Sequence, residues 1–262
     1  MTGTAGIILR YIQFLLKSGN EHSVHSPFIF DLYTTVITPD KQYYVFEDIE
    51  GLRKSLLARK DSIPINDFGA GSRVTQSTSR RISSIAKNSE KPPKLAQLLF
   101  KITERFQPDT ILDLGTSLGL TTLYLSKAAP KSTVYTFEGC PETLEVAKEN
   151  FRKLNAVNIK PVLGNIDDTL PQVLQQIKSA DLVFFDANHK YEATLNYFNI
   201  CLQKATQDSI FIFDDIYWSS GMQKAWQEIK DNDHVRLSVD LFYMGLVFFR
   251  KKQPKQHFVL RP

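Results

Sequence analysis

The sequence predicts an α/β protein: a doubly wound, mostly parallel sheet of seven strands with a C-terminal antiparallel hairpin and an N-terminal helical extension. Three observations carry this. From residue 110 onward, short apolar runs alternate with amphipathic stretches of helical period. Runs such as Asp181-Leu-Val-Phe-Phe185 and Ile210-Phe-Ile-Phe213 are apolar throughout, as strands covered on both faces are. The last two, Val235–Leu241 and Met244–Arg250, follow each other with no helix between them, which calls for an antiparallel pair.

Taken in order, Gly6–Lys17 sets Ile7, Ile8, Tyr11, Ile12, Leu15 and Leu16 on one helical face, and Ser18-Gly-Asn20 ends it. His22 and His25 follow in a polar loop closed by Pro27, with no third metal ligand nearby. They are expected to fix a turn or line a substrate mouth. Phe28–Ile37 and Glu47–Lys60 read as helices. Ile63–Ser72 imitates a ligand-binding glycine turn through Gly69 and Gly71. The residues after it, Arg73–Ser79, have no apolar helical face, so the stretch reads as a flexible loop near a site entrance. Arg81–Ala86 is a short helix, and Lys94–Phe106 a stronger one with Leu95, Leu98, Leu99, Ile102 and Phe106 on one side. Strands are then expected near 110–114, 133–138, 158–163, 181–186 and 209–214. Helices fall near 118–129, 141–154, 168–178, 191–204 and 221–230. The division is an extension over residues 1–90, serving as substrate lid or dimer contact, and an α/β domain over 91–262.

The 262 residues suffice for one large core, and 42% hydrophobic with 23% charged residues is ordinary for a globular protein. A formal charge of +4 is too mild to imply nucleic acid. The basic stretches Arg80–Arg105 and Arg250–Lys255 lack an aromatic platform and read as solvated faces. Cys140 and Cys201 stand too far apart for ligand spacing and read as structural thiols of a reducing compartment. No apolar run reaches membrane-spanning length, and the N-terminus lacks the charged start of a secretory signal, so a cytoplasmic protein is expected.

Chemistry concentrates at the ends of the strands, where open α/β sheets bind ligands. Thr110–Gly119 reads strand, tight turn, helix, with Asp113, Gly115, Ser117 and Gly119 in the turn. Glycine lets a ligand approach the backbone, and the first helical turn offers N–H groups. The spacing is D-x-G-x-x-x-G, not the dinucleotide G-x-G-x-x-G, and an acid before the first glycine repels a pyrophosphate but suits a cation. The next strand delivers Glu138, an acid able to grip ribose hydroxyls. Gly164-Asn-Ile-Asp167, Asp186-Ala-Asn-His-Lys-Tyr191 and Asp214-Asp215 end the following strands.

These motifs resemble the class I S-adenosylmethionine-dependent methyltransferases, whose fold is a Rossmann-like sheet with a final hairpin. Asp186–Tyr191 together with Phe213–Trp218 is similar to the metal-dependent O-methyltransferases of the catechol and caffeoyl-coenzyme A type. The resemblance spans roughly Lys94 to Arg250. It implies S-adenosyl-L-methionine as cofactor, contacted by Gln97, Asp113, Gly115, Ser117, Gly119, Thr121, Glu138, Asp167 and Asp186. It implies Mg²⁺ or Ca²⁺ held by Asp186, Asp214 and Asp215, a hard oxygen set suited to those ions. Asp186, His189 and Lys190 would be catalytic, with His189 or Lys190 taking the acceptor's proton. Two positions depart from the family: Asp215 stands where it has Asn, and His189 where it has Lys. The implied reaction is O-methylation of a small hydroxylated aromatic molecule by a homodimer, with Phe28, Tyr191, Tyr217 and Trp218 as an aromatic wall. Neither nucleic acid nor membrane is an expected partner. The alternatives are an RNA or protein methyltransferase, or a non-catalytic interaction module with a cofactor fold; the glycine spacing disfavours a nicotinamide-dependent oxidoreductase.

Overall fold

A computed structural model of the chain describes residues 4–65 and 79–262. The glycines of the supposed entrance loop, Gly69 and Gly71, and residues 73–78 lie outside the described residues. The chain forms two compact units, Asp40–Gln176 and Met1–Pro39 with Ile177–Pro262.

The Asp40–Gln176 unit begins with α3 (Tyr44–Ala58), which follows α1 (Thr4–Lys17) and α2 (Pro27–Leu32) of the other unit. A two-stranded antiparallel pair, β1 (Ser62–Pro64) and β2 (Ser79–Arg81), leads to α4 (Ile82–Asn88) and α5 (Pro93–Phe106). Then come β3 (Thr110–Leu114), α6 (Leu120–Ala128), β4 (Thr133–Glu138), α7 (Pro141–Lys153), β5 (Ile159–Leu163) and α8 (Ile166–Gln176). The three strands are parallel in the order β3-β4-β5, with Asp113 beside Thr136 and Glu138 beside Leu163. Parallel pairing brings all their C-terminal ends to one edge. Phe46, Ile49 and Leu56 of α3, Ile82 of α4, Phe100 of α5, Leu123 and Tyr124 of α6 and Phe151 of α7 close one core. At about 25 cal/mol per Å² of apolar surface, such burial is the main term holding helices to a sheet.

The other unit holds β6 (Leu182–Phe185), α9 (Tyr191–Leu202), β7 (Ile210–Asp214), α10 (Ser220–Asp231), β8 (Leu237–Asp240), β9 (Met244–Phe248) and β10 (Gln256–Val259). Its strand order is β10-β8-β9-β7-β6. β6 and β7 are parallel, and β9 runs antiparallel to both β7 and β8, the expected terminal pair. β10 adds parallel to β8, so among the described residues the main sheet has eight strands, not seven: β3, β4 and β5 from one unit and β6 to β10 from the other, with the β1–β2 pair apart. Four residues, Gln256–Val259, of which His257 is exposed and the others half-buried, leave too short a pattern to read as a strand. The doubly wound α/β class with flanking helices is otherwise as expected.

Two further features arise in this unit. The helix expected over Phe28–Ile37 is α-helical only to Leu32 and continues as a π-turn, Tyr33–Ile37. Thr34 and Thr35 hydroxyls donate to the carbonyls of Phe30 and Asp31 at 2.8 and 2.7 Å, back-bonding that loosens an α-helical ladder. The two ends of the sequence are also tied together. Gly19 N–H donates to Val259 O at 2.9 Å, and Arg261 donates to Ser18 Oγ at 2.9 Å and Leu15 O at 3.0 Å. α1 buries Phe14 against Phe242 at 5.4 Å and leaves Ile8, Ile12 and Leu16 exposed.

Gly245 lies in buried β9 under Trp226, and a Cβ there would sit 2.6–2.7 Å from three ring atoms. Gly245→Ala is expected to lower the urea midpoint, equivalent to about 1–3 kcal/mol. An unchanged midpoint would mean that Trp226 has room to move away.

Among the described residues no helix is long and apolar enough to cross a membrane. Cys140 and Cys201 are free and buried, and burial pushes the Cys201 thiol up, the state of an inert structural thiol.

Candidate active site

The β3–α6 turn is built from left-handed residues: Gly115 at φ 118°, Ser117 at φ 50° and Gly119 at φ 84°. Two of its N–H groups are held by carboxylates. Ser117 N–H donates to Glu138 Oε2 at 2.9 Å, and Leu118 N–H to Glu90 Oε1 at 2.7 Å. Cys140 N–H donates to the other Glu138 oxygen at 3.0 Å. These donors lie in the turn ahead of α6; in its first turn the Leu120 N–H also goes to Glu90, so that end, read from the sequence as open to a ligand, is partly taken up by carboxylates of the same unit. Where a dinucleotide fold offers bare N–H groups to a pyrophosphate, this turn carries negative charge.

Asp113 is fully buried at the end of β3. Its Oδ2 accepts from Thr122 Oγ1 at 2.6 Å and Thr136 Oγ1 at 2.8 Å, while Oδ1 has no hydrogen-bond partner. Burial pushes its carboxyl up to about 7; the two threonine hydroxyls oppose the rise, and the nearby Glu90 and Glu138 charges add to it. Three carboxylates around one turn, one oxygen of them without a donor, form a site suited to a cation.

Glu90 is the residue that sequence reasoning missed. It sits in the connection between α4 and α5, and its carboxyl end is enclosed. Burial pushes its carboxyl up, while the Leu118 N–H, the Ser117 hydroxyl, Arg53 and the Leu120 N–H pull the other way. A lone loop glutamate 28 residues before its partner gives no periodic signal.

The remaining cofactor positions separate by environment. Thr121 is buried in the first turn of α6. Gln97 is half-buried on α5, with its side chain hydrogen-bonded to the Tyr124 hydroxyl. That hydroxyl in turn donates to Glu50 Oε1 at 2.9 Å. Asp167 is exposed in the first turn of α8, its N–H capped by Asn165 Oδ1 at 3.1 Å.

In the other unit, the ends of β6 and β7 bring a second constellation together. Asp186, His189 and Asp214 each offer a ligand atom, and the three atoms lie within 4.8 Å of one another. His189 Nε2 stands 3.5 Å from Asp186 Oδ1. Asp214 is buried at the end of β7. Asp215, half-buried, has a left-handed backbone at φ 52°, donates its N–H to Tyr243 O at 2.8 Å and is not one of the three. Lys190 is exposed at the head of α9.

The supposed aromatic wall has packing partners of its own. Tyr217 donates to Asp240 Oδ2 at 2.8 Å and stacks on Phe242 at 5.0 Å. Tyr191 donates to Glu228 Oε1 at 2.7 Å, and Phe28 lies under Arg250 and edge-on to Phe248. His25 is exposed, and His22 pairs with Glu21 at 3.6 Å.

Residues 112–216, which include Asp113, Glu138, Asp186, His189 and Asp214 but not Glu90, match a family described as a methyltransferase domain. The resemblance read from the motifs stands. A catechol O-methyltransferase of Niastella koreensis is 25% identical over 127 residues, which is 47% of this chain and 57% of that protein. The chain thus spans little more than half the length of this relative. Among solved structures, the O-methyltransferase of Bacillus cereus in complex with SAH superposes with a TM-score of 0.56 at 16% identity, over 84% of this chain and 97% of that one. TomG of Streptomyces achromogenes, an O-methyltransferase of tomaymycin synthesis in complex with SAM, has a TM-score of 0.54 at 18% identity over 61% and 81%. At these identities the likeness is one of fold.

Proposed function

We propose that this chain is an S-adenosylmethionine-dependent O-methyltransferase acting on a small hydroxylated aromatic molecule with the help of a divalent cation. The observation that carries the reading is the charge of the β3–α6 turn. Glu138 and Glu90 occupy two of its N–H groups and Asp113 Oδ1 is left without a donor, an environment for a sulfonium or ammonium and not for a pyrophosphate. When bound, the cofactor supplies an electrophilic methyl group, and a divalent cation lowers the pKa of a neighbouring hydroxyl. The chain's residues do the rest. Glu138, held in place by the N–H groups of Ser117 and Cys140, accepts from ribose hydroxyls. Asp186 and Asp214 hold the cation, and the turn between Asp186 and Tyr191 carries the groups that take the acceptor's proton. Fixing both reactants turns a bimolecular step into an oriented one.

The test is calorimetric titration of S-adenosylhomocysteine and, separately, NAD into the full chain. A mass-spectrometric search for a methyl gain on a catechol panel, with and without divalent ion, follows. Saturable binding of S-adenosylhomocysteine alone is expected. Binding of NAD alone would overturn the reading. Glu138→Ala is expected to weaken that affinity about 10–100-fold, the loss of one or two hydrogen bonds to a charged group. Unchanged affinity would remove Glu138 from the site.

A further inference from the structure

The turn after β6 gathers a ligand set that differs in kind from three carboxylates. Asp186 and Asp214 contribute oxygens and His189 an imidazole nitrogen, all within 4.8 Å. With bonds near 2.1 Å, ligand atoms on a common ion stand about 3–4 Å apart. The 3.5 Å from His189 Nε2 to Asp186 Oδ1 already meets that spacing, and side-chain rotation closes the remainder. The set is recessed: Asp214 is 1% exposed, and the Asp186 and His189 side chains are 12% and 23% exposed. A fourth candidate ligand atom, a third oxygen, lies in the same turn. Asn188 has a left-handed backbone at φ 57°, and its Oδ1 is buried without a hydrogen-bond partner. An orphaned carbonyl oxygen costs about 1–3 kcal/mol unless something satisfies it. A cation in this turn is such a partner.

We propose that His189 is a metal ligand, and that Asp186, His189 and Asp214 select a first-row transition ion of the Mn²⁺, Co²⁺ or Zn²⁺ class over Mg²⁺ or Ca²⁺. The inference rests on the reading of this turn as a cation site. Its chemistry is that of the donor atoms: all-oxygen sets suit Mg²⁺ and Ca²⁺, whereas imidazole favours ions further along the first row. With Nε2 on the ion, His189 holds the cation and is no longer available as a base. Asp215 stays outside the ligand set.

The test uses the full chain stripped of metal by a chelator. Co²⁺ is titrated by visible absorption and Mg²⁺ by calorimetry, in wild type, His189→Ala and Asp215→Ala. Any site prefers Co²⁺ to Mg²⁺ to some degree, so the deciding quantity is what the histidine adds. His189→Ala is expected to weaken Co²⁺ on the order of 100-fold while moving Mg²⁺ by less than about 3-fold, because only the transition ion draws strongly on nitrogen. Asp215→Ala should leave Co²⁺ affinity within about 3-fold, the behaviour of a residue outside the ligand set. Pulsed EPR of the Mn²⁺-loaded protein should show a nitrogen coupling that disappears in His189→Ala. Absence of that coupling, an equal loss for both ions, or no saturable binding of either would overturn the assignment. Ion binding as expected without S-adenosylhomocysteine binding would instead sink the methyltransferase reading and leave the metal centre standing.

Discussion

Gly119→Ala should destabilise the protein by about 2–5 kcal/mol, the sum of a strained left-handed residue and an overpacked contact. At φ 84° the N-cap of α6 lies in the region that non-glycine residues avoid. A Cβ there would sit 2.4 and 2.8 Å from two ring atoms of Phe151 and 3.2 Å from Ala147 Cβ. Both neighbours are buried on α7, so neither can withdraw without disturbing the core they close. Urea unfolding measures the loss. Gly51→Ala is the matched control: it lies within α3 with nothing within 4 Å of a new Cβ, and should be neutral or stabilise by up to about 1 kcal/mol. If both variants unfold at the wild-type midpoint, the contact between the β3–α6 turn and α7 is looser than described. Gly119→Ala should also weaken S-adenosylhomocysteine, because the same glycine sets the path of Ser117 and Leu118.

Stability should fall as pH rises from about 4 to about 7, in a manner traceable to Asp113. The folded protein holds the Asp113 proton up to a pKa of about 7, whereas the unfolded chain releases it near 4. Between those values the folded state binds more protons than the unfolded one, so raising pH favours unfolding. The contribution is complete below the unfolded pKa and is lost as pH rises to the folded one, on the order of 4 kcal/mol in total. Glu90 and Asp240, whose carboxyls are also pushed up by burial, act in the same direction. Asp113→Asn removes one titrating group while keeping its shape, and should flatten the profile of urea midpoint against pH. A wild-type slope in that variant would assign the effect to the other two acids.

Much of this molecule is legible in its sequence, for reasons that differ by element. Thr110–Leu114 and Thr133–Glu138 have the expected bounds, because continuous apolar runs bounded by turn residues leave little freedom of placement. β10 escapes because a four-residue strand half-buried in its sheet has too few positions to establish a period. The π-turn over Tyr33–Ile37 escapes because periodicity does not report hydroxyl back-bonding. At the site, Asp113, Glu138, Asp186 and Asp214 stand out as acids that end apolar strands. Glu90 reaches the turn across a loop, and the left-handed backbone of Asp215 is a local geometry that adjacent acids do not announce. Tyr191 and Tyr217 show how little composition says of a side chain's direction, since their hydroxyls go to Glu228 and Asp240.

The bonds between Ser18 and Arg261 join residues 243 positions apart, which bears on how the chain is made. At ribosomal speeds of 5–20 residues per second, α1 waits roughly 12–50 s for the segment that completes it. Asp40–Gln176 is contiguous in sequence and has all of its core residues long before that. The apolar face of α1, with Phe14 and its exposed neighbours Ile8, Ile12 and Leu16, meanwhile has no native partner. α1 is therefore secured only after the segment around Val259 and Arg261 has been made.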